Sequence, residues 1–170
     1  MHFANLSPYH NAFSRAMNTR FILKYWLPVF LWTVFIFVGS SDLMSAEHTS
    51  RFIGPFLRWF AFDIADTTVA SIQFIVRKCA HLTEYAVLAA LIWRALRFQI
   101  PSGTVRTQAT IAFVAAVICA VFDEFHQSFV PSRTSSPADV AIDGVGAIIG
   151  LVVYWRMTRR AQVRERKLEI

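Results

Sequence analysis

Cysteine is nearly missing from this chain: only Cys79 and Cys119 occur among 170 residues. With no CxxC and no thiol cluster, a thiolate metal centre is excluded. Both cysteines lie in apolar stretches and read as small buried hydrophobes, although a single disulfide between them stays open. Charge is also sparse. Asp, Glu, Lys and Arg supply 16% of the residues, against about 25% in an ordinary soluble domain. The first twenty residues lack a small-residue cleavage site behind an apolar stretch, so no removable signal peptide is expected. The first apolar segment then serves as an uncleaved signal anchor. No internal repeat or low-complexity linker divides the chain, so one compact unit is expected rather than two domains.

What is present is hydrocarbon. The chain is 55% hydrophobic with sixteen phenylalanines, and its mean hydropathy is +0.44. The apolar residues come in long blocks rather than at amphipathic spacing, which points to an all-α integral membrane bundle. Four stretches are long enough to span: about 21–40, 75–98, 108–130 and 137–157, within a membrane domain covering 21–157. A polar tail, 1–20, precedes it and a basic tail, 158–170, follows. Between the first two spans, "RFIGPFLRWFAFDIAD" is aromatic but carries Arg51, Arg58, Asp63 and Asp66 around a Gly54-Pro55 break. An interfacial segment fits that pattern better than a fifth span.

The net charge of +6 does not form a groove-lining patch, so no nucleic-acid partner is expected. The basic residues gather instead at helix ends and in "RMTRRAQVRERK". With both termini cytoplasmic, twelve basic residues fall inside (Arg15, Arg20, Lys24, Arg94, Arg97, Arg106 and six in the tail) and five outside. The positive-inside rule favours that orientation.

Polar residues then converge on the outer side. In the second helix Lys78, His81 and Tyr85 share an arc, with Glu84 on its flank. The third helix brings Asp123 and Gln127 on one face, with Glu124 and His126 to either side. The fourth starts with Ser136-Pro137-Ala138-Asp139, an N-cap serine with proline in the first turn and an acid three residues on. Asp139, Asp143, Gly146 and Gly150 lie on one face of that helix. Glycines four apart permit close helix approach, so the acids on that face are expected to point into the bundle. The same face would alternatively serve a homodimer through Gly146 and Gly150. Ionisable groups inside a membrane are costly and mark functional sites.

These residues form a pattern. "KCAHLTEYAVL" fits K-x-x-H-x-x-x-Y-x-x-L. "DEFHQSFVPSR", followed by "TSSPAD", fits D-E-x-x-Q-x-F-x-P-x-R-x(5)-D, and "DGVGAIIG" supplies the closing glycines. From Ser40-Ser41 to about Gly150 the chain resembles the VanZ-like family of small bacterial membrane proteins, named for a member associated with teicoplanin resistance. The resemblance implies the bacterial inner membrane and motif positions at Lys78, His81, Tyr85, Asp123, Glu124, Gln127, Phe129, Pro131, Arg133, Asp139, Gly146 and Gly150. It departs at Asp143, where the family commonly has asparagine. A buried aspartate there must be protonated, paired with Lys78 or Arg133, or solvated.

Two chemistries suit such a cluster. One is a binding site for an envelope amphiphile, a lipid-linked precursor or a lipophilic glycopeptide. Lys78 and Arg133 would hold an anionic group, with Tyr85, Gln127, Asp139 and Asp143 lining the site and aromatics of 51–62 meeting an acyl chain. The other is an enzyme, a hydrolase or transferase on a lipid headgroup, with Glu124, His81 or Asp123 as acid or base. His81, Glu84, Asp123, Glu124, His126 and Asp139 are metal-capable, but their spacing fits no strong metal motif, and neither metal nor cofactor is expected. No nucleophile elbow surrounds the nearby serines. Transport is the weakest reading, because "VLAALIW" and "TIAFVAAV" offer no polar path.

Overall fold

The computed structural model describes residues 19–41, 59, 65–131, 133 and 135–168. Every regular element among them is helical. Helix α1 covers Thr19–Ser40, α2 Asp66–Gln99, α3 Val105–Gln127 and α4 Pro137–Leu168. The expected interfacial segment lies outside the described residues except for Trp59, Ala65 and Asp66, as does most of the N-terminal tail.

Local chemistry sets the helix boundaries. Pro28 has no N–H to donate and its ring crowds the preceding turn. The chain answers by winding more widely over Ile22–Trp26, a π-helical turn in which the Leu27 N–H bonds Ile22 O, five residues back. Pro101 ends α2, because the residue before a proline avoids helical backbone, and Ile100 is accordingly turned out at φ −122°, ψ 67°. Thr104 caps α3 by accepting from the Thr107 N–H at 3.1 Å. Buried Gln108 locks the α2–α3 connection, donating to Ile100 O at 2.7 Å and Gly103 O at 3.2 Å.

Two helices are longer than the sequence suggests. At 1.5 Å per residue, α2 is roughly 50 Å long and α4 nearly as long, against about 30 Å of hydrocarbon. The first turns of α2 are polar (Asp66, Thr67, Thr68, Ser71), whereas the last turns of α4 carry the basic tail, which continues as helix to Leu168 instead of breaking off near 157. The two helices therefore overhang opposite ends of the bundle. α3 ends at Gln127, three residues earlier than expected, in a turn closed by Phe129 N–H to His126 O and Val130 N–H to Gln127 O.

Packing is inverted relative to a soluble domain. On α3 the buried stripe is Gln108, Ala112, Ala116, Ala120, Asp123 and Gln127, close to one residue in four. Val114, Ile118, Phe122 and Phe125 face outward. Small and polar inside, greasy outside is the pattern of a membrane helix, where lipid is as apolar as any leucine. α1, α3 and α4 are each long and apolar enough to cross a membrane. α2 is made less apolar by Arg77, Lys78, His81 and Glu84, and it packs against all three of the others. Cys79 sits on the exposed side of α2, not in the core, and both thiols are free.

The tightest contact is between α2 and α4, which run parallel. A Cβ on Gly146 would lie 3.0 Å from Leu82 Cα, and one on Gly150 would lie 2.7 Å from Ala86 Cα. Real Cβ atoms essentially never come within that distance of backbone, so only glycine fits. The glycine face is thus filled by α2 of the same chain. Gly144 is different: a Cβ there would meet only Val117, at 4.0 Å. Gly150→Ala is expected to cost about 1–3 kcal/mol through overpacking, although alanine is the better helix former. Gly144→Ala should be neutral or slightly stabilising. Thermal unfolding of both variants in detergent checks this, and equal melting temperatures would contradict the register.

Candidate functional site

The apolar stripe of each helix turns polar at the same end of the bundle. On α1, Val29 and Ile36 lead to Ser40. On α2, Leu88 and Ala89 lead back to Tyr85 and His81. On α3, Ala116 and Ala120 lead to Asp123, Glu124 and Gln127. On α4, Ala147 leads back to Asp143 and Asp139. The helical repeat that buries the core therefore buries these polar groups too. Asp123, Tyr85 and Gln127 have no exposed surface, and Asp143 keeps 1%.

Asp123 is the centre of one network. Its Oδ2 accepts from Ser40 Oγ at 2.7 Å and from Gln127 Nε2 at 2.9 Å, tying α1 to α3. Arg133, in the connection to α4, donates through one terminal nitrogen to Gly39 O at 2.7 Å and Ser41 O at 3.0 Å. Those carbonyls lie at the C-terminus of α1, where carbonyls lack helical partners and the dipole favours a cation. Glu124 reaches across to the start of α4, its Oε2 accepting from the Ser136 N–H at 2.8 Å. In an ordinary capping box, the acid three residues past the serine would satisfy that N–H. Here Asp139 is engaged elsewhere, paired with Lys78. Ser136 still caps the helix, accepting from the Ala138 N–H at 3.2 Å.

His81 and Asp143 face each other between α2 and α4, with Nδ1 3.5 Å from Oδ1. Of the alternatives for Asp143 (protonation, solvation, or pairing with Lys78 or Arg133), the pairing is not the one found, because Lys78 is held by Asp139 and Arg133 by α1. Histidine is the partner because α2 and α4 run parallel, so that residue 143 falls level with 81 and residue 139 with 78. All nine sequence-predicted site residues (Lys78, His81, Tyr85, Asp123, Glu124, Gln127, Arg133, Asp139 and Asp143) lie in this one cluster. His126 does not. It is exposed and lies beside the Phe37 ring on the α1 side. Glu84 approaches the cluster near Gly39, and its backbone carbonyl accepts from Trp32 Nε1 at 2.9 Å. Ser40 and the α1 carbonyls were not anticipated as partners. The signal was the Ser40-Ser41 pair, two hydroxyls placed where an apolar helix ends.

Several buried atoms of the cluster meet no hydrogen-bond partner among the described residues: His81 Nδ1, Tyr85 OH, Asp123 Oδ1, Glu124 Oε1, Gln127 Oε1 and both oxygens of Asp143, whose approach to His81 is within ion-pair distance without hydrogen-bond geometry. Most are acceptors. Among the described residues, no group of three or more His, Cys, Asp and Glu is arranged to hold a metal ion. Without Ser40 Oγ, Asp123 Oδ2 keeps only Gln127, and one lost hydrogen bond costs about 0.5–1.5 kcal/mol. Ser40→Ala is therefore expected to destabilise the bundle by that amount, and His126→Ala to leave it unchanged, in chemical denaturation from detergent. An equal effect of the two would mean that Asp123 does not hold α1.

The family model described as VanZ/LLP1 matches residues 25–159. That range takes in α2 and α3 whole, most of α1 and α4, and every residue of the cluster. No curated protein and no solved structure matches the chain. With most of its length and its whole polar cluster inside the match, the chain belongs to the VanZ-like family of membrane proteins.

Proposed function

We propose that this protein binds an amphiphile of the bacterial cell envelope, with the headgroup at the polar end of the bundle and that end facing outward. The observation that carries the reading is the set of unpartnered buried acceptors around the Tyr85 hydroxyl. Buried polar atoms are costly without partners, and a guest that supplies donors relieves the cost. Five carboxyls (Glu84, Asp123, Glu124, Asp139 and Asp143) stand against two permanent cations, Lys78 and Arg133. Both cations are already committed, to Asp139 and to α1 carbonyls. The cluster therefore suits hydroxyls or an ammonium better than a bare phosphate or carboxylate. Sugar-bearing lipid-linked precursors and lipophilic glycopeptides both present such groups. Lys78, whose side chain keeps 19% of its surface, marks the route from solvent.

An apolar groove adjoins this end. It has a volume of about 350 Å³ and is lined by Phe30, Val34, Phe37 and Val38 of α1, with Ser41 and His126 at its mouth. Ser41 is also a carbonyl partner of Arg133, so groove and cluster share a wall. An acyl chain along α1 would bring its headgroup to the polar residues. Binding of this kind alone gives tolerance to a lipophilic glycopeptide, by masking or altering its target at the outer leaflet.

The buried His81–Asp143 pair supports a second reading. An imidazole 3.5 Å from a carboxylate, close to Glu124, suits proton transfer during hydrolysis or transfer of a lipid headgroup. The two readings separate on one preparation. Lipid that co-purifies from native membranes is identified and offered to wild type, Tyr85→Phe, Glu124→Gln and His81→Ala. Tyr85→Phe removes a hydroxyl with no partner among the described residues, so stability should hold while affinity falls about tenfold. Retention without conversion means a binding protein. Time-dependent conversion abolished by the Glu124 and His81 changes means an enzyme. Unchanged affinity in Tyr85→Phe would sink both. Orientation has its own check: Ser135→Cys, with Cys79 and Cys119 replaced by alanine, should label from outside intact cells. Labelling only after permeabilisation would invert the assignment.

A further inference from the structure

At the other end of the bundle the chemistry reverses. A groove of about 780 Å³, within the usual size of ligand clefts, opens between α2, α3 and α4. Three arginines line it, one from each helix: Arg97 in the last turn of α2, Arg106 in the first turn of α3 and Arg159 on α4. No lining residue is acidic. Among the described residues, no carboxylate lies within ion-pair reach of these three arginines. Two are held by aromatic faces instead, Arg97 over the Tyr154 ring and Arg159 over Trp155, which position a guanidinium without neutralising it.

The groove's wall holds one more donor. Trp93 is 4% exposed, lines the groove, and its indole Nε1 is buried without a hydrogen-bond partner among the described residues. Three cationic forks and one stranded N–H are all donors, so the groove asks for a guest made of acceptors. Its floor is apolar, formed by Ala109 and Leu151, and it continues onto the exposed faces of Val105 and Val152. We infer that this groove is a binding site for an anionic phospholipid, with the phosphate held by Arg97, Arg106, Arg159 and Trp93 Nε1 and an acyl chain lying along Val105 and Val152. Basic pockets between membrane helices recognise lipid headgroups in this way, and guanidinium forks match phosphate oxygens. The site is separate from the polar cluster and does not depend on what that cluster binds. On the orientation proposed above it faces the inner leaflet.

The test is native mass spectrometry of the full delipidated chain, titrated with phosphatidylglycerol or phosphatidylcholine of matched acyl chains. Wild type should bind phosphatidylglycerol more tightly. Arg97→Gln/Arg106→Gln/Arg159→Gln should lose about fivefold per arginine, roughly 100-fold in all. A control with equal charge loss, Arg164→Gln/Arg166→Gln/Lys167→Gln, lies beyond the groove on α4 and should bind as wild type. Trp93→Phe keeps the ring and removes only the donor. It should weaken phosphatidylglycerol about tenfold and leave phosphatidylcholine unchanged, which keeps the test sharp if the triple variant folds poorly. Equal binding of the two lipids, an equal loss in the distal control, or an unaffected Trp93→Phe would overturn the assignment. So would saturation by inorganic phosphate alone, which would make the site one for a free anion.

Discussion

Gly146 and Gly150 let the backbone of α4 rest directly on α2 at Leu82 and Ala86, with no side chain between them. Because the two helices run parallel, this contact sets a register for everything above it. One turn towards the polar end, Asp143 meets His81, and the next turn brings Asp139 to Lys78. α3 then closes over both helices along its alanine stripe. Its terminal Glu124 caps the start of α4, and Asp123 gathers Ser40 from α1. A larger residue at either glycine would push α4 outward and separate the Lys78–Asp139 pair and the His81–Asp143 contact at once.

The bundle is polarised from end to end. Carboxyls gather where α2 and α4 begin, while arginines gather where they finish, seated on Tyr25, Tyr154 and Trp155. A membrane protein cannot rely on a hydrophobic effect between its helices, because the surrounding lipid is equally apolar. Close packing of small residues does that work in the middle, and polar contacts do it at the ends. Buried charge is costly, so its confinement to one end is informative. Lys78 and Arg133 are used as fastenings, leaving uncommitted acceptors around Tyr85 as the chemically available part of the cluster.

Much of this was legible in the sequence, for physical reasons. Three of the four expected spans are visible because hydrocarbon demands unbroken apolar runs, and the shared face of Asp139, Asp143, Gly146 and Gly150 followed from helical periodicity alone. The pairings were not legible. Residue spacing says which side chains share a face of one helix, but not which helix lies opposite. For Asp143 the sequence therefore left protonation, solvation or pairing with Lys78 or Arg133 as alternatives, and His81, which parallel packing brings opposite, was not among them. The capping role of Glu124 was hidden because the Ser136–Asp139 spacing looks complete by itself. The helical extension of the tail was missed because charge ends a membrane span without ending a helix. Arginine and lysine are good helix formers.

The glycine contact holds Lys78 and Asp139 in register. A double-mutant cycle on Lys78→Met and Asp139→Asn, run in the wild type and again with Gly150→Ala, measures this directly through unfolding in detergent. A coupling on the order of 1–3 kcal/mol between Lys78 and Asp139 is expected in the wild type, falling towards zero once alanine separates the helices. The same coupling in both backgrounds would contradict that register.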